Sequence, residues 1–308
     1  MRKVYLSANK KYSTAQAMVE FLIVLPVMLL LVMGILQFAL IYQAKITLNY
    51  ATFQAVRAGS INNASISAMN MAFASNMAPL YTSSYLNMDS SGDCSSSFLN
   101  TDAGRQSRLS GTKIMDSNTR GILDANINKF NSENVLCARQ IVQKQIKDGY
   151  VNITIVNPNS SSFSDYGVII DDEERGSQLV IPNNNLMYRD ANVVGGSASA
   201  QNIQDANLLK IHVGYCYELI VPFVNRILWA LQRYGTGSAP DTEKAYGRYW
   251  SDPNATPPGF FGPPASGSFA ESCIANPADD GRHSIVLYSQ GIMRMQSDAF
   301  QCELTDSC

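Results

Sequence analysis

The sequence predicts an α+β protein, in which a long N-terminal transmembrane helix precedes an extracytoplasmic domain whose helices flank an antiparallel sheet. Two observations lead to this fold class. Residues 21–42 carry no charged side chain. Later segments alternate apolar and polar residues with the periods of strands and of amphipathic helices.

The transmembrane helix is predicted from the apolar run Phe21–Tyr42. It has 22 residues, and a span requires about 20. A cleaved secretory signal is the alternative, but the apolar region of such a signal usually has about 7–15 residues. The positive-inside rule places the N-terminus in the cytoplasm and the rest outside, because four basic residues precede the run: Arg2, Lys3, Lys10 and Lys11.

The helix is expected to continue beyond the membrane, over Gln16–Ala58, and to end at Gly59-Ser60. Small and apolar residues recur on one face of this part: Ala44, Leu48, Ala51, Ala55 and Ala58. Such a stripe permits close approach of another helix. It could therefore pack against neighbouring copies or against the chain's own domain, and the sequence leaves both open.

Three aromatic or charged residues of the projecting part, Tyr50, Phe53 and Arg57, lie off that stripe. Two further residues stand out in the apolar segment. Glu20 directly precedes the run, where a carboxylate either reaches the headgroups or is kept for a positively charged partner. Pro26 removes one backbone hydrogen bond, which membrane helices tolerate when their neighbours compensate.

Residues 15–26 together carry a family resemblance. Ala15-Gln16 is followed by Glu20-Phe21 and then by the apolar run with Pro26. This order resembles the class III signal of type IV pilins, and it is most similar to the TadE-like family of the tight-adherence (Flp, type IVb) pilus system. The resemblance implies that a prepilin peptidase cuts between Ala15 and Gln16, although Ala15 stands where the family usually has Gly.

The resemblance also implies roles and partners. Glu20, the fifth residue after the cut, and Phe21 would dock subunits, with Glu20 paired to the new ammonium of an adjacent copy. The implied partners are the prepilin peptidase, other Tad pilins and pseudopilins, the Tad inner-membrane assembly platform and membrane lipid. The protein would lie in a bacterial inner membrane with its domain in the periplasm, and would either enter the pilus or only prime its assembly.

Four segments are expected along the chain: a leader 1–15, the helix 16–60, a helical and loop insertion 61–148, and a sheet domain 149–308 with a long loop at 235–282. Helices are predicted at Ala64–Tyr81 and Ser117–Asp148, separated by a loop at 86–112. The apolar residues expected to face a core from the second helix region are Ile114, Ile122, Leu123, Ile127, Leu136, Ile141 and Ile146.

Alternation predicts strands in the second half of the chain. The segments are Val151–Val156, Tyr166–Ile170, Leu208–Ile220 and Ser284–Ser297. Between the last two, Val224–Tyr234 reads as an amphipathic helix, either packed on the sheet or lying at the membrane surface. The tail over 205–232 and 284–297 also resembles members of the TadE-like family.

The six cysteines all follow the apolar run and predict disulfides in an exported domain. Cys302 and Cys308 are the one pair proposed from sequence. No zinc spacing occurs, and the acidic run 171–174 is read as a solvated turn rather than a calcium loop. We expect no metal, cofactor or nucleic acid, the last because the net charge is −2.

No motif for catalysis is found. His212 and Cys216 share a strand face but lie roughly 13 Å apart, too far for proton transfer. The leading hypothesis is therefore a non-catalytic minor pilin or pseudopilin of a Tad pilus. The alternative is a membrane-anchored binding module that recognises a surface or ligand and enters no filament.

Overall fold

The computed structural model describes residues 13–81, 135–172, 176–192, 198–234, 269–275 and 283–304. Its longest element is helix α1, Ser13–Ile61, whose 49 residues extend for about 73 Å. The predicted helix, Gln16–Ala58, is three residues shorter at each end. Helix α1 continues through Pro26 without interruption.

The end of α1 corrects one prediction. Gly59 does not end the helix, which continues for two more residues. A Cβ built on Gly59 would lie 2.7 Å from Met69 Sδ and 2.8 Å from Leu209 Cδ2. The chain instead turns at Asn63 and Ala64, whose φ angles of 56° and 62° are left-handed. Gly59 is therefore needed for close packing rather than for termination.

Two helices follow α1. Helix α2, Ile66–Tyr81, begins two residues after the predicted Ala64, and α3 covers residues 135–147. Residues 117–134 of the second predicted helix, and the predicted loop 86–112, lie outside the described residues. So do four of the residues expected to face a core: Ile114, Ile122, Leu123 and Ile127.

Helix α3 packs through part of the predicted face: Ile146 is half-buried against the core that includes α1 and α2, as predicted. Leu136 was expected inside but is 48% exposed, whereas Cys137, Ala138 and Val142 are buried. Ile141 is half-buried and packs against the small cluster that Cys137 and Ala138 form with α2. The small side chains of Cys137 and Ala138 allow this contact. A prediction based on large apolar side chains does not identify them.

In the described residues, six strands form two antiparallel sheets of three. The first has the order β1-β4-β5 and the second β2-β3-β6. The strands are β1 Val151–Asn157, β2 Val168–Asp172, β3 Gly176–Ile181, β4 Leu208–Glu218, β5 Ser284–Arg294 and β6 Ala299–Phe300. The α+β class with antiparallel pairing is therefore confirmed.

The predicted strands correspond to β1, β2, β4 and β5, with ends shifted by up to three residues. Strands β3 and β6 and the short helices α4, Ser160–Tyr166, and α5, Ile203–Ala206, were not predicted. Helix α4 begins at a capping box, in which the Asn159 side chain accepts a hydrogen bond from the Ser162 backbone. Its serine-rich sequence has no apolar period that would reveal a helix.

Strand β4 lies at the centre of the first sheet and is covered on both sides. The side chains of Ile211, Val213, Tyr215 and Tyr217 are buried in the same core as α1 and α2. On the other face, a Cβ on Gly214 would lie 2.7 Å from Phe269 Cδ1. Phe269 begins α7, Phe269–Ala275, so this part of the predicted loop 235–282 is helical; residues 235–268 and 276–282 lie outside the described residues.

Candidate membrane and assembly site on the N-terminal helix

The first half of α1 extends away from the folded domain. No side chain between Glu20 and Leu36 is buried, and Phe21 is 63% exposed. The sixteen residues from Phe21 to Leu36 cover about 24 Å. Within the described part of the chain, α1 is the one helix long and apolar enough to cross a bilayer. A surface of this kind requires lipid or apolar helices around it.

The predicted cleavage and docking residues all lie on α1. Ala15 and Gln16 are in its first turn, and Glu20 and Phe21 follow with exposed side chains. Positions 16 and 20 are four residues apart, so they lie on the same helix face. Cleavage at Ala15 and docking through Glu20 stay predictions.

The second half of α1 lies against the domain. Four residues of the small-residue stripe, Ala44, Leu48, Ala51 and Ala55, have no exposed surface, and Ala58 is half-buried. Of the two alternatives that the sequence leaves open, the stripe therefore packs on the chain's own domain. It is not available as a contact between copies.

The opposite side of this half faces outward. Tyr50, Phe53 and Arg57 are exposed, as expected for residues off the stripe. Tyr42 and Ile46 extend the same exposed face towards the apolar run. The projecting half of α1 thus has one face packed on the domain and a second, largely aromatic face that the described residues leave uncovered.

Contacts at several levels hold α1 to the domain, beginning near the end of the apolar run. The Gln37 side-chain oxygen accepts a 2.8 Å hydrogen bond from the Val221 backbone nitrogen. The Lys45 ammonium donates to the Tyr288 carbonyl on β5. Further along, a Cβ on Gly291 would lie 3.1 Å from Val56 Cγ1, so helix and strand approach closely. The helix and the domain are therefore one packed unit from Gln37 onward.

A buried histidine lies beside this contact. The His212 ring on β4 stacks on Tyr288, with ring centroids 5.3 Å apart. Burial, together with the positive charges of Lys45 and Lys210, lowers the pKa of His212 to about 4. At neutral pH the ring is uncharged.

This depressed pKa predicts lower stability in acid. Unfolded His212 takes up its proton near its ordinary pKa of 6.5, whereas the folded residue does so only near 4. The unfolded state therefore binds more protons, and the free energy of unfolding should fall by about 1–2 kcal/mol between pH 7.5 and 5. Urea unfolding of the detergent-solubilised protein at the two pH values measures this decrease.

Replacement of His212 by Phe retains an aromatic ring against Tyr288 but removes the titration, and should remove most of this pH dependence. The matched control is His283→Phe, since His283 is the other histidine and is less deeply buried. An unchanged pH dependence in His212→Phe would assign the effect to other groups.

The cysteines found in the described residues do not support a nucleophile. Cys216 on β4 forms a disulfide with Cys273 on α7, with Cα atoms 5.8 Å apart, and Cys137 is also disulfide-bonded. Neither supplies a thiolate to a histidine. Cys302 is disulfide-bonded as well, but Cys308 lies outside the described residues, so the Cys302–Cys308 pair stays a prediction.

Metal ligands are not clustered in the part of the chain that the structure describes: no three residues among His, Cys, Asp and Glu are arranged to hold an ion. Asp171 and Asp172 end β2, where Asp171 accepts a hydrogen bond from the Ser177 hydroxyl across the hairpin. Glu173 and Glu174 of the same acidic run lie outside the described residues.

These features define a protein with one apolar N-terminal helix, which fits a single membrane span, and an α+β domain folded against it. Residues 15–57 match the family model described as TadE-like protein. The match begins at the predicted cleavage position and confirms the resemblance to this family. Comparisons with curated proteins and with solved structures gave no match. The TadE-like segment indicates a pilin-like protein associated with a Tad pilus.

Sequence reasoning missed the residues that join α1 to the domain. Gln37 is the one strongly polar side chain of the apolar run, and a single polar residue in such a run is a signal for a specific contact. Lys45 is the first charge after the run, but its position alone does not identify a partner. Val221 carries no signal of its own, because it takes part through its backbone.

Proposed function

We propose that this protein is a non-catalytic minor pilin or pseudopilin that takes part in building a Tad (type IVb) pilus. The TadE-like match over residues 15–57 carries the proposal. It coincides with helix α1, whose first half is left uncovered by the described residues of the domain. Its N-terminus would be cytoplasmic and its domain periplasmic until assembly.

Processing supplies the chemistry of the proposal. A cut between Ala15 and Gln16 removes all four basic residues that precede the apolar run. The remaining helix end has one new ammonium and the Glu20 carboxylate, so moving it from lipid into a bundle of helices costs less than moving the uncut chain. Glu20 of one subunit would then pair with the Gln16 ammonium of the next, which offsets the burial of both charges.

The two halves of α1 would then make different contacts with neighbouring subunits. The exposed apolar half replaces lipid by neighbouring helices. The outer face around Tyr42, Ile46, Tyr50 and Phe53 can add contacts outside the membrane, because the small-residue stripe is already used within the subunit. Assembly through helix packing requires no catalytic group.

The N-terminal residue of the purified protein tests processing. We expect a start at Gln16 in cells that contain prepilin peptidases and at Met1 in cells that lack them. Ala15→Gly should increase the processed fraction, whereas Ala17→Gly, two residues away, should leave it unchanged. Met1 in both strains would contradict the proposal and favour the anchored binding module.

A further inference from the structure

Helix α6 covers Val224–Tyr234. The loop that precedes it is fixed at one position along α1. Its Val221 backbone nitrogen donates to Gln37 Oε1 at 2.8 Å. Gln37 lies sixteen residues after Phe21, which is about 24 Å along the helix. The hydrocarbon core of a bilayer is roughly 30 Å thick, so a membrane that begins near Phe21 extends beyond the level of Val221.

Helix α6 is apolar on two adjoining faces. Val224 and Leu228 are buried in the core that includes α1. The neighbouring face is formed by Phe223, Ile227 and Leu231, which are 72%, 44% and 45% exposed. In the described residues the domain covers only the first of these faces. The second is exposed, close in sequence to Val221, which is bonded to α1 at Gln37.

The remaining side of α6 has the residues of a membrane–water boundary. Arg226 and Arg233 lie there, and the Arg233 guanidinium is 5.3 Å from the centre of the Trp229 ring. Tyr234, at the end of the helix, is exposed. Trp229 itself packs against α7 and donates to the Ile274 carbonyl, whereas arginine and tyrosine place apolar parts in lipid and polar ends among headgroups.

Phe223 has a left-handed backbone conformation, with a φ of 65°, which is uncommon for a bulky residue. Its large aromatic side chain is exposed, and the described part of the domain does not cover it.

We propose that α6 lies in the headgroup region of the bilayer that α1 spans, on the domain's side, with Phe223, Ile227 and Leu231 among the acyl chains. The partner is phospholipid, and Arg226 and Arg233 favour anionic headgroups. The domain thus has a second membrane contact beside α1, which fixes its orientation to the bilayer. The inference requires that α1 spans the membrane and does not depend on a pilus.

Photo-crosslinking of the full chain tests the contact. The protein is reconstituted in vesicles of phosphatidylethanolamine and phosphatidylglycerol, with p-benzoylphenylalanine replacing Phe223 or, in a second variant, Ile227. Leu30 in the span is the positive control. Ile169, which is 71% exposed on β2, is the matched negative control.

Phospholipid adducts are expected at Phe223, at Ile227 and at Leu30, and none above background at Ile169. A Cys216–Cys273 disulfide found by mass spectrometry verifies folding of each variant. The inference is overturned if positions 223 and 227 behave like 169. It is equally overturned if they crosslink to protein instead of lipid, which would identify a second copy as the occupant. Processing at Gln16 is unaffected in either case.

Discussion

Replacement of Glu20 by alanine is expected to abolish pili while leaving the protein stable and processed. Glu20 is exposed on α1 and is not part of the domain core, so the stability of the fold should not change. In an assembled bundle the loss of its carboxylate would leave a neighbour's ammonium buried without its partner. Breaking such a pair costs roughly 3–5 kcal/mol, which is more than a hundredfold in each assembly step.

Pili counted by electron microscopy and sheared-protein assays measure this effect. The matched control is Val24→Ala, one helical turn further along the exposed half, which removes apolar surface but no charge and should leave pili present. N-terminal sequencing of the Glu20→Ala protein must still show Gln16, so that assembly is separated from processing. Normal pili in Glu20→Ala would contradict the docking role.

Removal of the Cys216–Cys273 disulfide is expected to destabilise the domain by about 2–4 kcal/mol. The bond joins residues 57 positions apart, so the unfolded chain gains considerable freedom when it is lost. It also fixes α7 over β4, where Cys273, Ala270 and Ile274 are buried. The Trp229 indole nitrogen, which donates to the Ile274 carbonyl at 3.1 Å, should lose this contact as α7 loosens.

Urea unfolding followed by tryptophan fluorescence measures the loss. Cys216→Ser, Cys273→Ser and the double variant should lose similar free energy, since each removes the same bond. Limited proteolysis should then cut first near residues 269–275. A stability equal to that of the unsubstituted protein would show that the sheet holds α7 without the disulfide.

The elements that the sequence predicts well are those with a long, uniform pattern. Helix α1 has an uninterrupted apolar run, β4 has a strict alternation, and the predicted bounds of α6 match the structure. The elements it misses are short, and tertiary contacts stabilise them. Helix α7 is seven residues long and is joined to β4 by a disulfide, while β6 has two residues paired to β3.

The residues of the candidate site also fall into a group that the sequence predicts and a group that it does not. Ala15, Gln16, Glu20 and Phe21 form a local pattern, so one segment of sequence is sufficient to propose them. The contact between Gln37 and Val221 joins residues 184 positions apart. Periodicity reports local structure only, so neither the depth of α6 nor the burial of the small-residue stripe could be derived from it.

The chain is synthesised from its N-terminus, so α1 is made long before β5, the strand on which it packs. The backbone nitrogens of Gln296 and Ser297 donate to the Ser60 carbonyl, at 2.8 and 3.2 Å, so the last part of the sheet closes on the end of the first helix. Contacts between such distant residues form slowly. During synthesis the part of α1 that packs on β5 therefore remains uncovered until β5 arrives. A chaperone that shields an apolar helix face would act in this interval. In a chain shortened before Ser284, β5 is missing and this surface of α1 would stay uncovered.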